Sequence, residues 1–306
     1  MNTDYHIHYL KRQEIDTARW DACIAEAPND LIYGHSHYLD AMAAGQWDAL
    51  VLDDYQAVMP LTWRTKAGIR YLYQPAFTQQ TGIFSREPVN ASQIEAFLEA
   101  IRCRYRFVEI YLNYANDHPL LEKRNNFILP LDSGYEQLAA GYKKDLRNNL
   151  NLATRSTLYY TKDFELKTAL RDFRHEYASR LPAIKEEDYR HFETLCLLLQ
   201  QRGQLLVRAV LNEDRQPLCS AVLLRDKTRL YLLHSTLLTA GRTTRANHFL
   251  LDQFIREWAG CPLILDFEGS DQPGISHFYA NFGAAVQPYF FYRFNRLLWP
   301  WRLLKK

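Results

Sequence analysis

Two stretches of this sequence carry the same local pattern, three short β-type runs joined by turns too tight to hold anything but antiparallel neighbours. In the first, residues 49–52, 57–63 and 69–73 are parted by Asp53-Asp54 and by Lys66-Ala67-Gly68. In the second, residues 205–211, 218–225 and 229–236 are parted by the turns NEDRQ and DK. Each trio follows helices and precedes a loop, a helix, a strand, an irregular or short helical segment and a closing strand. Sequence identity between the halves is negligible, so only the order of elements repeats. That order predicts two similar α+β domains, each a mostly antiparallel central sheet flanked by helices, over residues 1–131 and 132–306.

The chain is long enough for this. With 306 residues, 47% of them hydrophobic and 14% aromatic, each half can bury a core, which argues against disorder. Five cysteines, with no CxxC pair among them, suit reduced thiols better than a disulfide scaffold or a zinc site. The start, MNTDYHIHYLKRQEID, lacks the basic end and apolar run of a signal peptide, and no stretch has the apolar length to span a bilayer. These features predict a cytoplasmic protein. Charge is uneven: residues 1–130 hold 12 Lys and Arg against 16 Asp and Glu, and residues 131–306 hold 25 against 19. An anionic ligand, a phosphorylated cofactor or RNA, is therefore expected on the second half.

Between the trios the elements read as follows. Asp16 caps a helix that buries Trp20, Cys23, Ile24 and Ala27 and ends at Pro28, with a short helix over residues 36–44 after it. Residues 74–85 are too rich in aromatic and amide groups for a mere spacer, Ser92 caps a helix running to about residue 104, and strands cover residues 107–111 and 127–131. One long helix is predicted over residues 134–156, with Lys144, Arg147, Asn148, Asn151 and Arg155 on a polar stripe that reads either as a solvated face or as a ligand-binding one. Two helices precede the second trio, the last stopping at Gly203, and residues 284–295 read as a terminal hairpin or paired strands.

The chemistry concentrates between His234 and Gly283. A strand end, a loop with Gly241 and basic and hydroxyl residues, a helix, a strand and a short aromatic helix follow one another there. Such an order can aim backbone N–H groups and a helix N-terminus at an anion. Gly241 permits a tight turn, Thr243 or Thr244 can cap the helix, and Arg242 and Arg245 can neutralise phosphate; the same segment also reads as a capped helix with surface arginines. Asp266 and Glu268 sit at a strand end and, by period two, point to one side. Either can act as base toward an amine, directly or through water, or can brace the loop GSDQPG; His234 is a third candidate.

These residues resemble the GNAT fold of acyl-CoA N-acyltransferases, and the doubled arrangement resembles the FemA/FemB family, which moves amino acids from aminoacyl-tRNA onto peptidoglycan precursors. The resemblance in element order spans nearly the whole chain, and that in motifs covers residues 135–155 and 235–289. The GNAT pyrophosphate loop, Arg/Gln-x-x-Gly-x-Gly/Ala, is matched by the segment from Thr239 through Gly241, Arg242, Thr243, Thr244, Arg245 and Ala246 to Asn247, with Ala246 displaced from the usual second small position. Phe278-Tyr279-x-x-Phe282-Gly283 is similar to the GNAT segment whose tyrosine protonates the leaving thiolate; it also reads as core aromatics with a glycine cap. FemA/FemB-like proteins often carry lysine after the first phenylalanine, so Tyr279 implies acyl-CoA as donor.

The resemblance thus implies an N-acyltransferase that binds acyl-CoA on the second domain, with Tyr279, Glu268, Asp266 and His234 catalytic. Its amine acceptor, a small molecule or a peptidoglycan precursor, is expected between the domains, lined by Tyr73, Gln79, Gln80, Lys144 and Arg147. No metal is implied: His6/His8 and His35/His37 lack a third ligand. The rival readings are an aminoacyl-tRNA donor and a non-catalytic module that binds a peptide or sugar. No GxSxG, P-loop or Rossmann fingerprint supports a hydrolase, an NTPase or a dehydrogenase. The tail FYRFNRLLWPWRLLKK mixes Trp299, Trp301 and leucines with Arg293, Arg296, Arg302, Lys305 and Lys306, a composition suited either to weak membrane-surface contact or to docking on its own domain.

Overall fold

A computed structural model describes residues 5–269 and 271–299; the expectations for Trp301, Arg302, Lys305 and Lys306 lie outside the described residues. In chain order the elements of the first half are β1 (Ile7–Leu10), α1 (Thr17–Glu26), α2 (Ser36–Met42), β2 (Trp47–Leu52), β3 (Ala57–Lys66), β4 (Ile69–Leu72), β5 (Phe84–Ser85), α3 (Ala91–Arg102), β6 (Phe107–Leu112) and β7 (Glu122–Arg124). There follow β8 (Phe127–Pro130), α4 (Tyr135–Ala140), α5 (Lys144–Ala153), β9 (Tyr159–Thr161), α6 (Leu166–Tyr177), α7 (Glu186–Gln201), β10 (Leu205–Leu211), β11 (Pro217–Arg225) and β12 (Arg229–Leu237). The chain ends with α8 (Thr239–Thr243), α9 (Ala246–Trp258), β13 (Ile264–Asp266), α10 (Pro273–Ala280), β14 (Ala285–Val286) and β15 (Tyr289–Asn295).

Both trios form the expected antiparallel ladders, β2-β3-β4 and β10-β11-β12. Two compact units result, one of residues 5–124, 190–195 and 288–299, the other of residues 125–189 and 196–287. The first sheet runs β1-β2-β3-β4-β6-β15-β7 and the second β14-β8-β13-β12-β11-β10-β9. The closing strands are therefore exchanged relative to the sequence expectation. β8, expected to close the first domain, pairs antiparallel with β13, while β15 pairs with β6 through Phe290↔Leu112 to Asn295↔Phe107. Residues 284–295 consequently form no hairpin, because β14 and β15 lie in different sheets. Apolar periodicity marks a strand but carries no information about which of two similar sheets receives it.

In the first unit, Asp16 caps α1 as expected, accepting from the amides of Ala18 and Arg19 at 3.1 Å, and Trp20, Cys23 and Ile24 are buried. The cap of α3 is Asn90, whose side chain accepts from Gln93 N at 2.9 Å; Ser92, expected in that place, bonds Asn90 instead. His35 is held between Asp21 and Asp30 (2.9 Å); burial alone lowers its pKa, but the two carboxylates raise it to about 9. That pairing gives His35 a bracing job within its own unit. The amide-rich segment after β4 works as a clamp. Gln74 Oε1 accepts from Tyr111 N, Gln80 Oε1 from Tyr114 N, and Asn113 and Asn116 donate to Ile83 O, so side-chain amides tie an irregular stretch where a strand ladder is missing.

The second unit packs α5 and α9 on one apolar core with the sheet. α9 contributes Ala246, Leu250, Leu251, Phe254 and Ile255, spaced for one helical face. The long helix expected over residues 134–156 is two helices. Gly141 closes α4, Lys143 is extended, and its N–H bonds Asn281 O at 2.9 Å, so tertiary pairing interrupts a pattern that helical periodicity alone would continue. No helix among the described residues is long and apolar enough to cross a membrane.

Candidate active site

The site forms where two parallel strands stop pairing. β12 and β13 are in register only from Arg229↔Ile264 to Tyr231↔Asp266, while β12 continues to Leu237. A register shift between Val222 and Leu223 on β11 places the irregularity of β12 immediately before His234. Past Tyr231 and Asp266 the two strands no longer pair, β12 running on through His234 and the chain after β13 through Glu268. Carboxyl ends of parallel strands are where α/β sheets commonly receive ligands, because backbone groups there lack ladder partners.

Two helices furnish this end. α6 lies along β12, and Phe173 stacks on the His234 ring with centroids 4.1 Å apart and planes at 17°. His234 is only 6% exposed, and burial lowers its pKa to about 3, so it is neutral at physiological pH. Tyr177, one turn on, sits 5.5 Å from Phe173. From α10, Tyr279 packs on Phe267 at 4.8 Å and approaches Phe127 at 6.3 Å. Burial, then the nearby charge of Glu268 and that of Tyr177, push the Tyr279 phenol well above its ordinary value. Glu268 and Tyr177 thus both lie within electrostatic reach of Tyr279.

Glu268 and Asp266 have separate surroundings. Asp266 is fully buried and accepts from Arg229 Nη1 (2.8 Å), Asn126 Nδ2 (2.9 Å) and Glu268 N (3.0 Å). At Glu268 the backbone turns into the left-handed region (φ 57), so the period-two rule no longer applies and the two carboxylates are not equivalent. Glu268 remains partly open to solvent but is surrounded by protein, and this desolvation raises its pKa well above the usual carboxylate range. A non-glycine residue in that conformation beside a perturbed carboxyl is the kind of strain that functional sites retain.

The anion side differs from expectation in two respects. The stretch expected to be loop contains α8, and neither Thr243 nor Thr244 caps α9. Thr244 Oγ1 bonds back to Gly241 O at 3.1 Å, and the residue before α9 is Arg245 at φ 58, with no side-chain cap. Gly241 is required for close approach rather than for a turn, because a Cβ there would lie 2.3 Å from Leu218 O. Gly241→Ala is expected to cost about 1–3 kcal/mol by overpacking. Gly274→Ala, at a helical position with nothing within 4 Å, should gain up to about 1 kcal/mol; paired urea titrations check both.

Arg242 and Arg245 are exposed and form no ion pair among the described residues, whereas Asn247 is tied to the strand end through Ser235 Oγ at 2.6 Å. Ala246 is buried in the core. His248, one turn into α9, meets the Phe278 ring edge-on at 5.0 Å, and burial with the charge of Arg245 lowers its pKa to about 4.

The remaining expected residues are spread over both units. Lys144 and Arg147 are exposed on α5, Arg147 donating to Ala140 O at 3.0 Å. In the first unit Tyr73 lies under the Arg64 guanidinium at 4.3 Å, and Gln80 is fully buried, donating to Gln79 Oε1 at 2.7 Å. Sequence reasoning missed Phe173, Tyr177, Asn126 and Arg229. Only Arg229, a charge opening an apolar strand, left a signal.

Residues 140–272 match the acetyltransferase (GNAT) domain family. Among solved structures the chain is similar to FemX, with a TM-score of 0.63 and 14% identity over 97% of this chain and 99% of that one. It is also similar to a conserved protein of unknown function from Bacteroides thetaiotaomicron (TM-score 0.53, 10% identity, 93% and 99% covered). A third similar structure is L-PGS from Bacillus licheniformis (TM-score 0.51, 12% identity, 94% and 95% covered). No curated protein sequence matches. Residues 140–272 thus resemble a GNAT acetyltransferase domain, and the fold over nearly the whole chain is similar to that of FemX.

Proposed function

We propose that the second unit is an N-acyltransferase that takes its acyl group from acyl-CoA. The observation that carries this reading is the gap between β12 and β13, with a desolvated carboxyl and a phenol on one side and an uncapped helix start with two uncommitted arginines nearby in sequence. The thioester carbonyl would lie at the parted strand end, its oxygen polarised by backbone amides of β12. An amine attacks the carbonyl carbon, Glu268 takes the ammonium proton, and collapse of the tetrahedral intermediate expels the thiolate. A carboxyl of raised pKa is the better base toward an amine than an ordinary one. Asp266, held by Arg229 and Asn126, acts in this scheme by fixing Glu268 through its backbone amide.

Tyr279 faces the leaving group. Its raised pKa keeps it protonated, but full transfer to a thiolate of reference pKa about 8.5 is then uphill. Its contribution is a hydrogen bond to the departing sulfur. Arg242 and Arg245 would meet the donor's phosphates at the start of α9.

A second reading, aminoacyl-tRNA as donor and a peptidoglycan precursor as acceptor, is favoured by the similarity to FemX over nearly the whole length of both chains. Turnover separates the two. Acetyl-CoA with a panel of amines should release free thiol faster than buffer controls, in a reaction that Tyr279→Phe slows by about 10- to 100-fold, below the full general-acid range. Acyl transfer from aminoacyl-tRNA without any thiol release from acyl-CoA would establish the second reading instead.

A further inference from the structure

The end of β15 and the turn between α3 and β6 together build a small basic and apolar surface on the first unit. The β6–β15 ladder ends at Asn295↔Phe107, and Arg296 N continues it by bonding Arg106 O at 2.7 Å. This brings three exposed arginines, Arg104, Arg106 and Arg296, to one edge of the sheet. Immediately beyond them Leu298 is 69% and Trp299 80% exposed.

The charges there are mostly uncommitted. Arg106 has no side-chain partner among the described residues, Arg104 only bonds Ala100 O and lies over Tyr9, and Arg296 lies over Phe294. Glu95 and Glu99 on α3 are on the same side, Glu99 within electrostatic reach of Arg296, but both are engaged by Arg102. The described residues from 288 onward hold Arg293, which pairs with Glu109, and Arg296, and no Asp or Glu.

We propose that this edge is a docking surface for an anionic phospholipid membrane. An exposed tryptophan beside an exposed leucine suits the interfacial zone of a bilayer, where an indole places its apolar face among acyl chains and its N–H toward water. The arginines at this sheet edge add attraction to anionic headgroups, roughly fivefold in affinity for each charge near the surface. RNA would also attract the arginines and stack on the indole, but it offers nothing to the leucine. The proposal is independent of which donor the second unit uses.

Sedimentation of the full chain with lipid vesicles tests it. Binding to phosphatidylcholine vesicles containing phosphatidylglycerol at low salt is expected to exceed binding to pure phosphatidylcholine by tenfold or more, and to weaken as salt is added. Trp299→Ser should weaken it severalfold through the apolar part, and Arg106→Gln through the charge part. Both side chains are exposed, so the fold should survive either change, which an unaltered melting temperature would verify. No binding to anionic vesicles, binding that neither variant alters, or preferential binding of single-stranded RNA over the vesicles would overturn the proposal.

Discussion

Arg229→Leu is expected to destabilise the second unit by about 3–5 kcal/mol, the cost of leaving one member of a buried ion pair without its partner. Arg229 and Asp266 are 3% and 0% exposed at their side chains and meet at 2.8 Å. The second arm of the guanidinium donates to Gln287 Oε1 at 2.9 Å, just past β14. The pair therefore ties three strands together: β12 through Arg229, β13 through Asp266, and the end of β14 through Gln287. Removing the cation strands the carboxylate of Asp266 in the core. The denaturant midpoint should fall accordingly, with the slope of the transition unchanged if the unfolded state is the same. Replacing both partners by apolar residues should cost much less, because no uncompensated charge remains. A single variant with stability within about 0.5 kcal/mol of the parent would show that the pair braces nothing.

Glu268→Gln is expected to lower kcat by about 100- to 10,000-fold, the usual span for loss of a positioned general base. It carries a second, opposite signature. The folded-state pKa of Glu268 is raised above its unfolded value, so the folded protein binds this proton more tightly. Stability tied to the group is therefore fully present below the unfolded pKa of about 4.3 and is lost as pH rises through the folded value. Glutamine has no such proton to lose. The variant should be more stable than the parent above the raised pKa and should lose the acid limb of the rate profile, which in the parent climbs as Glu268 ionises. Lower activity with higher melting temperature is the pattern of a site that trades stability for chemistry. A variant that is both inactive and less stable would assign Glu268 to the architecture instead.

The local features of this fold are legible in the sequence, and those that are not share a physical cause. The six strands of the two trios were legible because short turns and alternating apolar residues fix antiparallel neighbours locally. The cap at Asp16 was legible for the same reason, since its partners lie two and three residues away. What failed was non-local. Nothing near residue 130 or residue 290 tells β8 and β15 which of two similar sheets to join. The break between α4 and α5 depends on Asn281, far along the chain, bonding Lys143. Gly241 was singled out for a turn, yet its need is set by Leu218 on a neighbouring strand. Asp266 and Glu268 read alike in the sequence, as two carboxylates at one strand end, but one left-handed residue separates their environments, and backbone handedness at a glutamate has no sequence marker. Phe173 and Tyr177 have the spacing of ordinary apolar positions of α6, and only the packing of that helix over His234 distinguishes them.

The central claim is that the second unit holds an acyl-CoA, and thermal unfolding with ligand tests it most directly. A ligand that binds only the folded state raises stability by about 2.7 kcal/mol at a hundredfold excess over its dissociation constant. Millimolar acetyl-CoA or CoA should therefore raise the melting temperature of the parent by several degrees, and the double substitution Arg242→Gln with Arg245→Gln should remove most of that shift while leaving the ligand-free transition unchanged. No shift with CoA, acetyl-CoA or longer acyl-CoAs would contradict the donor assignment.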